Sequence, residues 1–350
     1  MPIWQHNSFL EGTSKGIINI CSTDGNISVS KHSYIAIWKE KYLRPLRKEI
    51  IMADLDTKER TGAINPEKDF HLDIAPGKTN FHVKGMDNVD WGMKDRLSRI
   101  FNPKSGNTLM LAFDHGYISG ASSGLERLDI LIPHLAEDID VFMATRGALR
   151  TCVPPMFNKA VALRCTAGST VLSDDVTSEL IGVDIDDAIR MNASCMAVQT
   201  FLGTPDEKSS IANLVNTINA GNRYGIPTLG VVAVGKQMAR NPQFFSLATR
   251  VIAELGAQLV KCYYCEDFEK ITAGCPVPIV VAGGKKLPIP EALSMAYHAI
   301  SEGAHGMDMG RNIFQAEDPK AMAQAVAKIV HEGFTDKEAY EFYRDTACVK

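Results

Sequence analysis

The sequence Ala257-Gln258-Leu259-Val260-Lys261-Cys262-Tyr263-Tyr264 is an apolar run that carries one lysine in its middle. It follows a helix-like segment that ends at Gly256, and it gives way to polar Glu266 and Asp267. Its residues favour strands, and a strand that is apolar on both faces is typical of a parallel sheet covered by helices on both sides. The run therefore predicts a buried parallel strand.

Lys261 in such a strand has two interpretations. Burying an unpaired ammonium group is costly, and a lowered pKa would leave a neutral amine instead. A neutral amine can attack a ketone and form a Schiff base. Alternatively, Lys261 lies near the strand end, where its side chain reaches solvent or pairs with a carboxylate. The strand by itself leaves both interpretations open.

Apolar runs and helical patterns alternate from residue 90 onward. Asp90 can cap an amphipathic helix that continues to Phe101 and is stopped by Asn102-Pro103. The eight strand-like runs are residues 109–114, 141–145, 161–165, 195–201, 228–234, 257–264, 278–282 and 306–309. Helical periodicity separates most of them, for example at 125–135, 211–222, 244–255 and 289–300.

Eight strands with crossovers predict a (β/α)8 TIM barrel, which typically needs about 250 residues. We expect the segment 90–101 to plug the bottom face of the barrel. An open doubly wound sheet is the alternative, but it leaves extra strands without a place.

The composition is that of an ordinary globular protein: 350 residues, 45% hydrophobic, 22% charged, with a formal net charge of −4. No basic stretch suggests nucleic-acid binding, and no apolar run reaches the roughly 18 residues of a membrane span. The first residues lack the features of a secretory signal, so we expect a cytoplasmic protein. Cys262 and Cys265 have no second pair at zinc spacing, and we predict core thiols, no metal and no bound cofactor.

The N-terminal part differs from the rest of the chain. Residues 1–51 show no sustained period, and Lys48-Glu49 can be encoded by AAG-GAG, a ribosome-binding sequence just ahead of Met52. Our hypothesis is that 1–51 is a non-native or disordered extension, 52–89 an arm, 90–334 the barrel and 335–350 a C-terminal helix and tail. The alternative is a genuine flexible extension.

A protein that begins at Met52 tests this hypothesis. Because the core pattern starts only near residue 90, we expect its thermal unfolding and activity to match those of the full chain. A fall of many degrees in the unfolding temperature would contradict the hypothesis.

Polar residues and glycines cluster where the predicted strands end, which is the end that carries the chemistry in barrels of this kind. In chain order they are Asp114 and His115, Arg146, Lys236, Lys261 and Tyr263, Gly283, Gly284 and Lys285, and Gly310 and Arg311. Each has an ordinary explanation as a turn, a cap or a surface ion pair. Together they predict one site.

The last two turns suggest what this site binds. Glycine turns with a basic side chain expose backbone N–H groups, as a phosphate requires. We therefore expect a phosphorylated small ketone, with its carbonyl group at Lys261 and with Asp114 and His115 as acid–base candidates. An iminium at Lys261 would act as an electron sink for a departing carbanion.

Several motifs resemble the class I aldolase family that includes the archaeal-type fructose-bisphosphate aldolases. They are Phe113-Asp114-His115-Gly116, Val280-Val281-Ala282-Gly283-Gly284-Lys285-Lys286 and Met309-Gly310-Arg311-Asn312-Ile313-Phe314-Gln315. Four further motifs resemble a thiolase branch of that family: Asp90-Trp91-Gly92-Met93, Arg96-Leu97-Ser98-Arg99-Ile100-Phe101-Asn102-Pro103, Phe245-Ser246-Leu247-Ala248-Thr249-Arg250 and Ala273-Gly274-Cys275-Pro276-Val277-Pro278. The resemblance covers residues 52–343.

The resemblance implies an enzyme that transfers the acetyl group of a phosphorylated dione to coenzyme A, leaving dihydroxyacetone phosphate, in autoinducer-2 breakdown. It carries the catalytic lysine of the family onto Lys261 and implies a homo-oligomeric ring. No nucleotide motif marks a coenzyme A site. Two alternatives stay open: an aldolase that acts on a ketose phosphate without coenzyme A, and a non-catalytic barrel that binds sugar phosphates.

One residue departs from the family pattern. Phe201 stands where the aldolases have an acid tyrosine, so either that hydroxyl is dispensable or the activity is altered. We expect Phe201 at the cavity mouth, where Phe201→Tyr would be tolerated.

Overall fold

The chain folds into a closed barrel of eight parallel strands with helices between them. The computed structural model describes residues 73–75, 80–234 and 240–347. Its strands are β1 (Thr108–Ala112), β2 (Val141–Ala144), β3 (Ala160–Arg164), β4 (Thr166–Gly168), β5 (Glu179–Ile181), β6 (Cys195–Thr200), β7 (Thr228–Val232), β8 (Leu259–Tyr263), β9 (Ile279–Ala282) and β10 (Gly306–Met309). The barrel order is β1-β10-β9-β8-β7-β6-β3-β2. The predicted (β/α)8 TIM barrel is confirmed, and the open sheet is wrong.

Helices follow most of the barrel strands. They are α1 (Trp91–Ile100), α2 (Gly116–Ser119), α3 (Leu128–Leu135), α4 (Arg146–Cys152), α5 (Ile185–Arg190), α6 (Glu207–Tyr224), α7 (Pro242–Glu254), α8 (Phe268–Gly274), α9 (Ile289–Ser301), α10 (Arg311–Phe314), α11 (Pro319–Glu332) and α12 (Asp336–Thr346). The predicted helical segments are confirmed, with shifted ends. Among the described helices, none is long and apolar enough to cross a lipid bilayer.

Burial on both faces explains why the barrel strands read as continuous apolar runs. Every residue of β1 and of β7 is buried, so successive side chains on both faces are covered. Leu109, Met110 and Leu111 have no exposed surface. A run of this kind gives no alternation, and its strand character must be inferred from its length and its β-branched residues.

Helix α1 begins as its sequence predicts. The Asp90 carboxylate accepts a hydrogen bond from the N–H of Met93 at 2.8 Å and caps the helix. Leu97 and Ile100 are fully buried, and Arg96 donates to the carbonyl of Gly225, ahead of β7, at 3.1 Å. Helix α1 therefore contacts a segment that enters the barrel. That it closes the bottom face remains a prediction.

A short antiparallel hairpin is absent from the sequence-based prediction. Strands β4 and β5 pair through Thr166↔Ile181, Ala167↔Leu180 and Gly168↔Glu179, directly after β3. Strands of three residues are too short to show a period. The hairpin matters to the site because it carries Glu179 over the end of β3.

Several predicted features lie outside the described residues. These are the extension 1–51, most of the arm 52–89, and Lys236. The segment 335–350 contains α12, and the domain boundaries themselves remain predictions.

The barrel closes between its first and last strands at a glycine. Gly306 pairs with Thr108 and has a φ of +150°, a conformation that L side chains rarely adopt. A Cβ at this position would overlap the carbonyl oxygen of Thr108. The close approach of β1 and β10 therefore requires a residue without a side chain.

We predict that Gly306→Ala destabilises the fold by about 2 kcal/mol or more, because it combines backbone strain with a clash against a main-chain atom. Urea denaturation of the two proteins measures the difference. Gly147→Ala in α4 is the matched control, since an added Cβ there meets no atom within 4 Å. Alanine is the better helix former, so the control should be neutral or slightly stabilising. Equal effects at the two positions would contradict this account.

Candidate active site

A cavity of about 230 Å³ opens at the carboxyl ends of the barrel strands. The predicted residues that line it are Asp114, His115, Lys261, Tyr263, Gly283, Gly284, Gly310 and Arg311. The lining residues that the sequence reasoning missed include Met143, Arg164, Gln199 and Asp308. The cavity therefore brings together most of the predicted site and adds charged groups to it.

Lys261 lies deep in this cavity and is paired. Its Nζ is 2.8 Å from Oδ2 of Asp308 and 3.2 Å from Sδ of Met143. The three residues belong to β8, β10 and β2, which alternate around the barrel. Inward side chains from alternate strands share one layer of a TIM barrel, which explains how residues so distant in sequence meet.

The pairing changes the expected state of the lysine. Burial lowers the pKa of Lys261, but the carboxylates of Asp308 and Asp114 outweigh it, so the net shift is upward. The expectation of a neutral amine at rest is therefore wrong, and the alternative of a carboxylate partner is confirmed. Burial also raises the pKa of Asp308, against the opposing effect of the Lys261 ammonium.

A second buried cation, Arg164 at the end of β3, holds the other side of the cavity. Its guanidinium donates to Oδ2 of Asp114 at 2.8 Å and to Oε1 of Glu179 at 2.6 Å. It also donates to the Tyr117 hydroxyl at 2.7 Å and to the amide oxygen of Gln199. Arg164 therefore joins β1, β6 and the hairpin strand β5 through a single side chain.

Asp114 and His115 differ in charge because their surroundings differ. Burial raises the pKa of Asp114, but Arg164, Lys261 and His115 together hold it below its usual range. Burial lowers the pKa of His115, and the carboxylate of Asp114 only partly offsets this. Near neutral pH the site thus has an ionised carboxylate beside a neutral imidazole. Nε2 of His115 is buried without a hydrogen-bond partner, so it is free to bond a substrate hydroxyl or carbonyl group.

A buried asparagine that the sequence reasoning missed fixes the two glycine turns. Nδ2 of Asn312 donates to the carbonyls of Gly283 at 2.6 Å and Lys285 at 3.1 Å, and its Oδ1 accepts from the N–H of Leu287 at 2.8 Å. Gly284 has a φ of +68°, which favours glycine. One side chain after β10 therefore sets the shape of the turn after β9, and both turns line the cavity.

Two predicted residues lie elsewhere, and a third falls outside the described residues. Arg146 does not line the cavity, because its guanidinium pairs with Asp187 at 2.9 Å, as do Arg150 and Arg190 at 2.7 Å. Lys285 is exposed, and only its carbonyl group contacts the site, through Asn312. Lys236 is outside the described residues.

Phe201 also departs from its expected place. It is 5% exposed, and it is not among the residues that line the cavity. Its N–H donates to Oγ of Ser210 at 3.0 Å, which joins the backbone just after β6 to helix α6. The expected position at the cavity mouth is wrong, and the tolerance of Phe201→Tyr stays a prediction. A hydroxyl added here would be buried, at a cost of about 1–3 kcal/mol if unpaired.

Arg164→Met gives a test of the buried network. It leaves Asp114 and Glu179 without their shared cation, so we predict a loss of about 3–5 kcal/mol of stability at pH 7. The pKa of Asp114 is lower in the folded parent than in the unfolded chain, so its ionisation stabilises the fold at pH values above the pKa of the unfolded chain. This stabilisation is lost as the pH falls through the pKa of Asp114 in the folded protein. In the variant Asp114 takes up a proton at higher pH, which relieves the burial of its charge. The difference in urea denaturation should therefore shrink from pH 7 to pH 4.5.

Arg150→Met is the control for this substitution. Arg150 also pairs with a carboxylate, but its side chain is half exposed and Asp187 keeps two other arginines. We expect a loss below about 1 kcal/mol with little dependence on pH. A similar loss in both variants would show that Arg164 carries no special role.

Comparison with known proteins assigns the chain to a family. A family model described as DeoC/LacD family aldolase matches residues 108–316, from β1 to just past α10. A 3-hydroxy-5-phosphonooxypentane-2,4-dione thiolase from Enterobacter sp. (strain 638) is 51% identical over 84% of this chain and 98% of that protein. A protein from Pasteurella multocida (strain Pm70), named an uncharacterized aldolase, is 52% identical over 84% of this chain and 99% of that protein. An archaeal fructose 1,6-bisphosphate aldolase structure superposes with a TM-score of 0.63 at 24% identity, over 69% of this chain and all of that one.

Proposed function

Because the chain belongs to the DeoC/LacD aldolase family, we propose that it is a thiolase that cleaves 3-hydroxy-5-phosphonooxypentane-2,4-dione with coenzyme A. The products would be acetyl-coenzyme A and dihydroxyacetone phosphate. Coenzyme A is then a co-substrate, and the breakdown of phosphorylated autoinducer-2 is the corresponding role. A cytoplasmic location, a ring-shaped homo-oligomer and the absence of nucleic-acid or membrane partners remain predictions.

One observation carries the proposal: a buried lysine paired with a carboxylate in a cavity that also holds two glycine turns. Lys261 is 9% exposed, and Asp308 is its 2.8 Å partner. A purely structural ion pair would not need a cavity beside it, and replacing such a pair by apolar residues often stabilises a protein. The cost of this pair is consistent with a chemical role.

The first step would be formation of a Schiff base at Lys261. Asp308 is the nearest base, and its burial-raised pKa favours acceptance of the ammonium proton. The transfer neutralises two buried charges together, which reduces their desolvation cost. The free amine then attacks the C4 ketone of the dione, and loss of one water gives an iminium.

The second step would be thiolysis of the C2–C3 bond. The thiolate of coenzyme A adds to the C2 carbonyl, and the C2–C3 electron pair moves into the iminium to form an enamine. The acetyl group leaves on sulfur. Carbon C3 takes up a proton, for which His115 and Asp114 are the acid–base candidates in the cavity. Water then releases dihydroxyacetone phosphate and the lysine.

The phosphate of the substrate would lie against the two turns. Gly283 and Gly284 follow β9, and Gly310 and Arg311 follow β10. The N–H of Gly283 donates to the carbonyl of Asp308 at 3.2 Å, so the groups offered to a phosphate are the N–H groups of Gly284, Gly310 and Arg311 and the Arg311 guanidinium. In TIM barrels the loops after the seventh and eighth barrel strands frequently bind phosphate. In this chain those two barrel strands are β9 and β10. Lys261 lies on β8, the strand next to β9, and lines the same cavity.

An aldolase that needs no thiol is the second candidate, and the Pasteurella multocida relative bears that name. The first step would be the same, since an iminium stabilises the carbanion in both reactions. Incubation of the purified protein with the dione, with and without coenzyme A, separates the two candidates. Acetyl-coenzyme A that forms only with the thiol supports the thiolase. Cleavage at equal rates without thiol would contradict it.

Lys261→Arg should lower turnover at least about 100-fold, because arginine keeps the charge but cannot form the imine. Borohydride with the ketone phosphate should add a stable mass to the peptide that contains Lys261 in the parent and to no peptide of the variant. Mass spectrometry of the digested proteins reads this out. Full activity of Lys261→Arg would end the Schiff-base proposal.

Asp308→Asn is the matched control, since it keeps the lysine and removes its counterion. Without Asp308, burial lowers the pKa of Lys261. The amine is then neutral at lower pH, so borohydride trapping in this variant should begin at lower pH than in the parent. Trapping that is absent at every pH in Asp308→Asn would mean that Asp308 does more than set the charge of the lysine.

A further inference from the structure

A groove of about 630 Å³ lies beside the cavity, at the same end of the barrel. Its walls are the segment after β9 and one face of helix α12. We call it the α12 groove, and the residues used below are Lys286, Leu287, Pro290, Tyr340, Tyr343 and Arg344. The site described above uses none of these six side chains.

The α12 groove combines apolar walls with cations. Leu287, Pro290 and the ring of Tyr340 supply aliphatic and flat surface, whereas Lys286 and Arg344 supply positive charge. Tyr343 also lines the groove but is only 4% exposed. Glu317 is the one carboxylate among the residues described as lining it. An aromatic wall stacks on a nucleobase, and guanidinium and ammonium groups bind phosphates. This combination suits a phosphorylated nucleotide.

Resting on the proposed function, we propose that the α12 groove binds the adenosine 3′-phosphate 5′-diphosphate part of coenzyme A. The adenine would stack on Tyr340, and the phosphates would contact Lys286 and Arg344. The pantetheine arm would then run from the groove into the cavity and bring its thiol to the substrate.

The α12 groove and the active-site cavity are lined by residues that are close together in the sequence. Lys286 lines the groove and Gly284 lines the cavity, and two residues span at most ~7 Å. Gln315 also lines the groove, and its carbonyl accepts from Nζ of Lys286 at 2.6 Å, which fixes the lysine at the boundary. A flexible pantetheine arm is long enough to cross this boundary.

Two other grooves fit coenzyme A less well. The groove beside Tyr117 is lined by Glu126 and Asp129, and its described lining holds no lysine or arginine, so it would repel phosphates. The groove beside Phe142 and Val161 lies where β2 and β3 begin, at the opposite end of the barrel from Lys261. The α12 groove is therefore favoured by both charge and position.

The test compares coenzyme A with pantetheine, a thiol that lacks the nucleotide. Arg344→Glu and Lys286→Met should each raise the KM for coenzyme A about tenfold or more, because a phosphate contact is lost. The KM for pantetheine and the borohydride trapping at Lys261 should not change. Adenosine 3′,5′-bisphosphate should inhibit the parent competitively against coenzyme A and inhibit both variants more weakly.

Lys208→Glu in α6 is the matched control for charge, since it makes the same change as Arg344→Glu on the far side of the barrel. Its KM for coenzyme A should equal that of the parent. Equal KM values for coenzyme A in the parent and in both groove variants would overturn the proposal while leaving the thiolase intact.

Direct binding separates this failure from failure of the proposed function. Calorimetry of adenosine 3′,5′-bisphosphate needs neither the dione nor turnover. If the nucleotide does not bind the parent, the α12 groove is excluded whatever the thiolysis assay gives. If it binds the parent, binds both groove variants more weakly, and the protein produces no acetyl-coenzyme A, the groove stands and the thiolase proposal fails.

Discussion

The opposite charges buried around the cavity of the barrel depend on one another. Five ionisable side chains are less than a tenth exposed there: Asp114, Arg164, Glu179, Lys261 and Asp308. None could be buried alone, because an unpaired charge in such surroundings would neutralise or unfold its site. The cations come from β3 and β8, and the carboxylates from the end of β1, from β5 and from β10. Correct register of the whole barrel is therefore a condition for the site to exist.

This dependence also explains why the fold and the chemistry cannot be separated. The layer that holds Lys261, Asp308 and Met143 is built by alternate strands, and Gly306 lets β10 approach β1 closely enough to place Asp308. The hairpin of β4 and β5, which pairs with no barrel strand, brings Glu179 to Arg164. Strands β3, β5, β8 and β10 each contribute one charge, and together the elements leave a lysine that is buried, paired and reachable from the cavity.

The sequence predicted the elements better than their contacts. Apolar runs of strand length and helical periods located all eight barrel strands, because both faces of a parallel strand must be buried. The glycine turns and Lys261 could be found because they interrupt those runs at strand ends. Asp308 gave the same signal, one charge inside an apolar strand, and could have been found by it. Arg164 gave it too, within the run 161–165. Asn312 could not have been found this way, because its importance comes from partners in another turn, and the sequence does not give those distances. Arg146 follows β2 as expected, but it pairs with Asp187 and does not line the cavity.

The hydrogen bonds of Asn312 have a consequence for which molecules fit. One buried amide fixes the turn after β9 relative to the turn after β10, and the barrel fixes both relative to Lys261. Under the proposed function, the distance between the phosphate-binding turns and the reactive amine of Lys261 is then fixed by the fold. Such a site selects ligands by the number of carbons between phosphate and ketone, and is indifferent to what extends beyond the ketone. A scaffold of this kind can exchange one acceptor for another, a thiol for an aldehyde, without altering how the phosphorylated half is held.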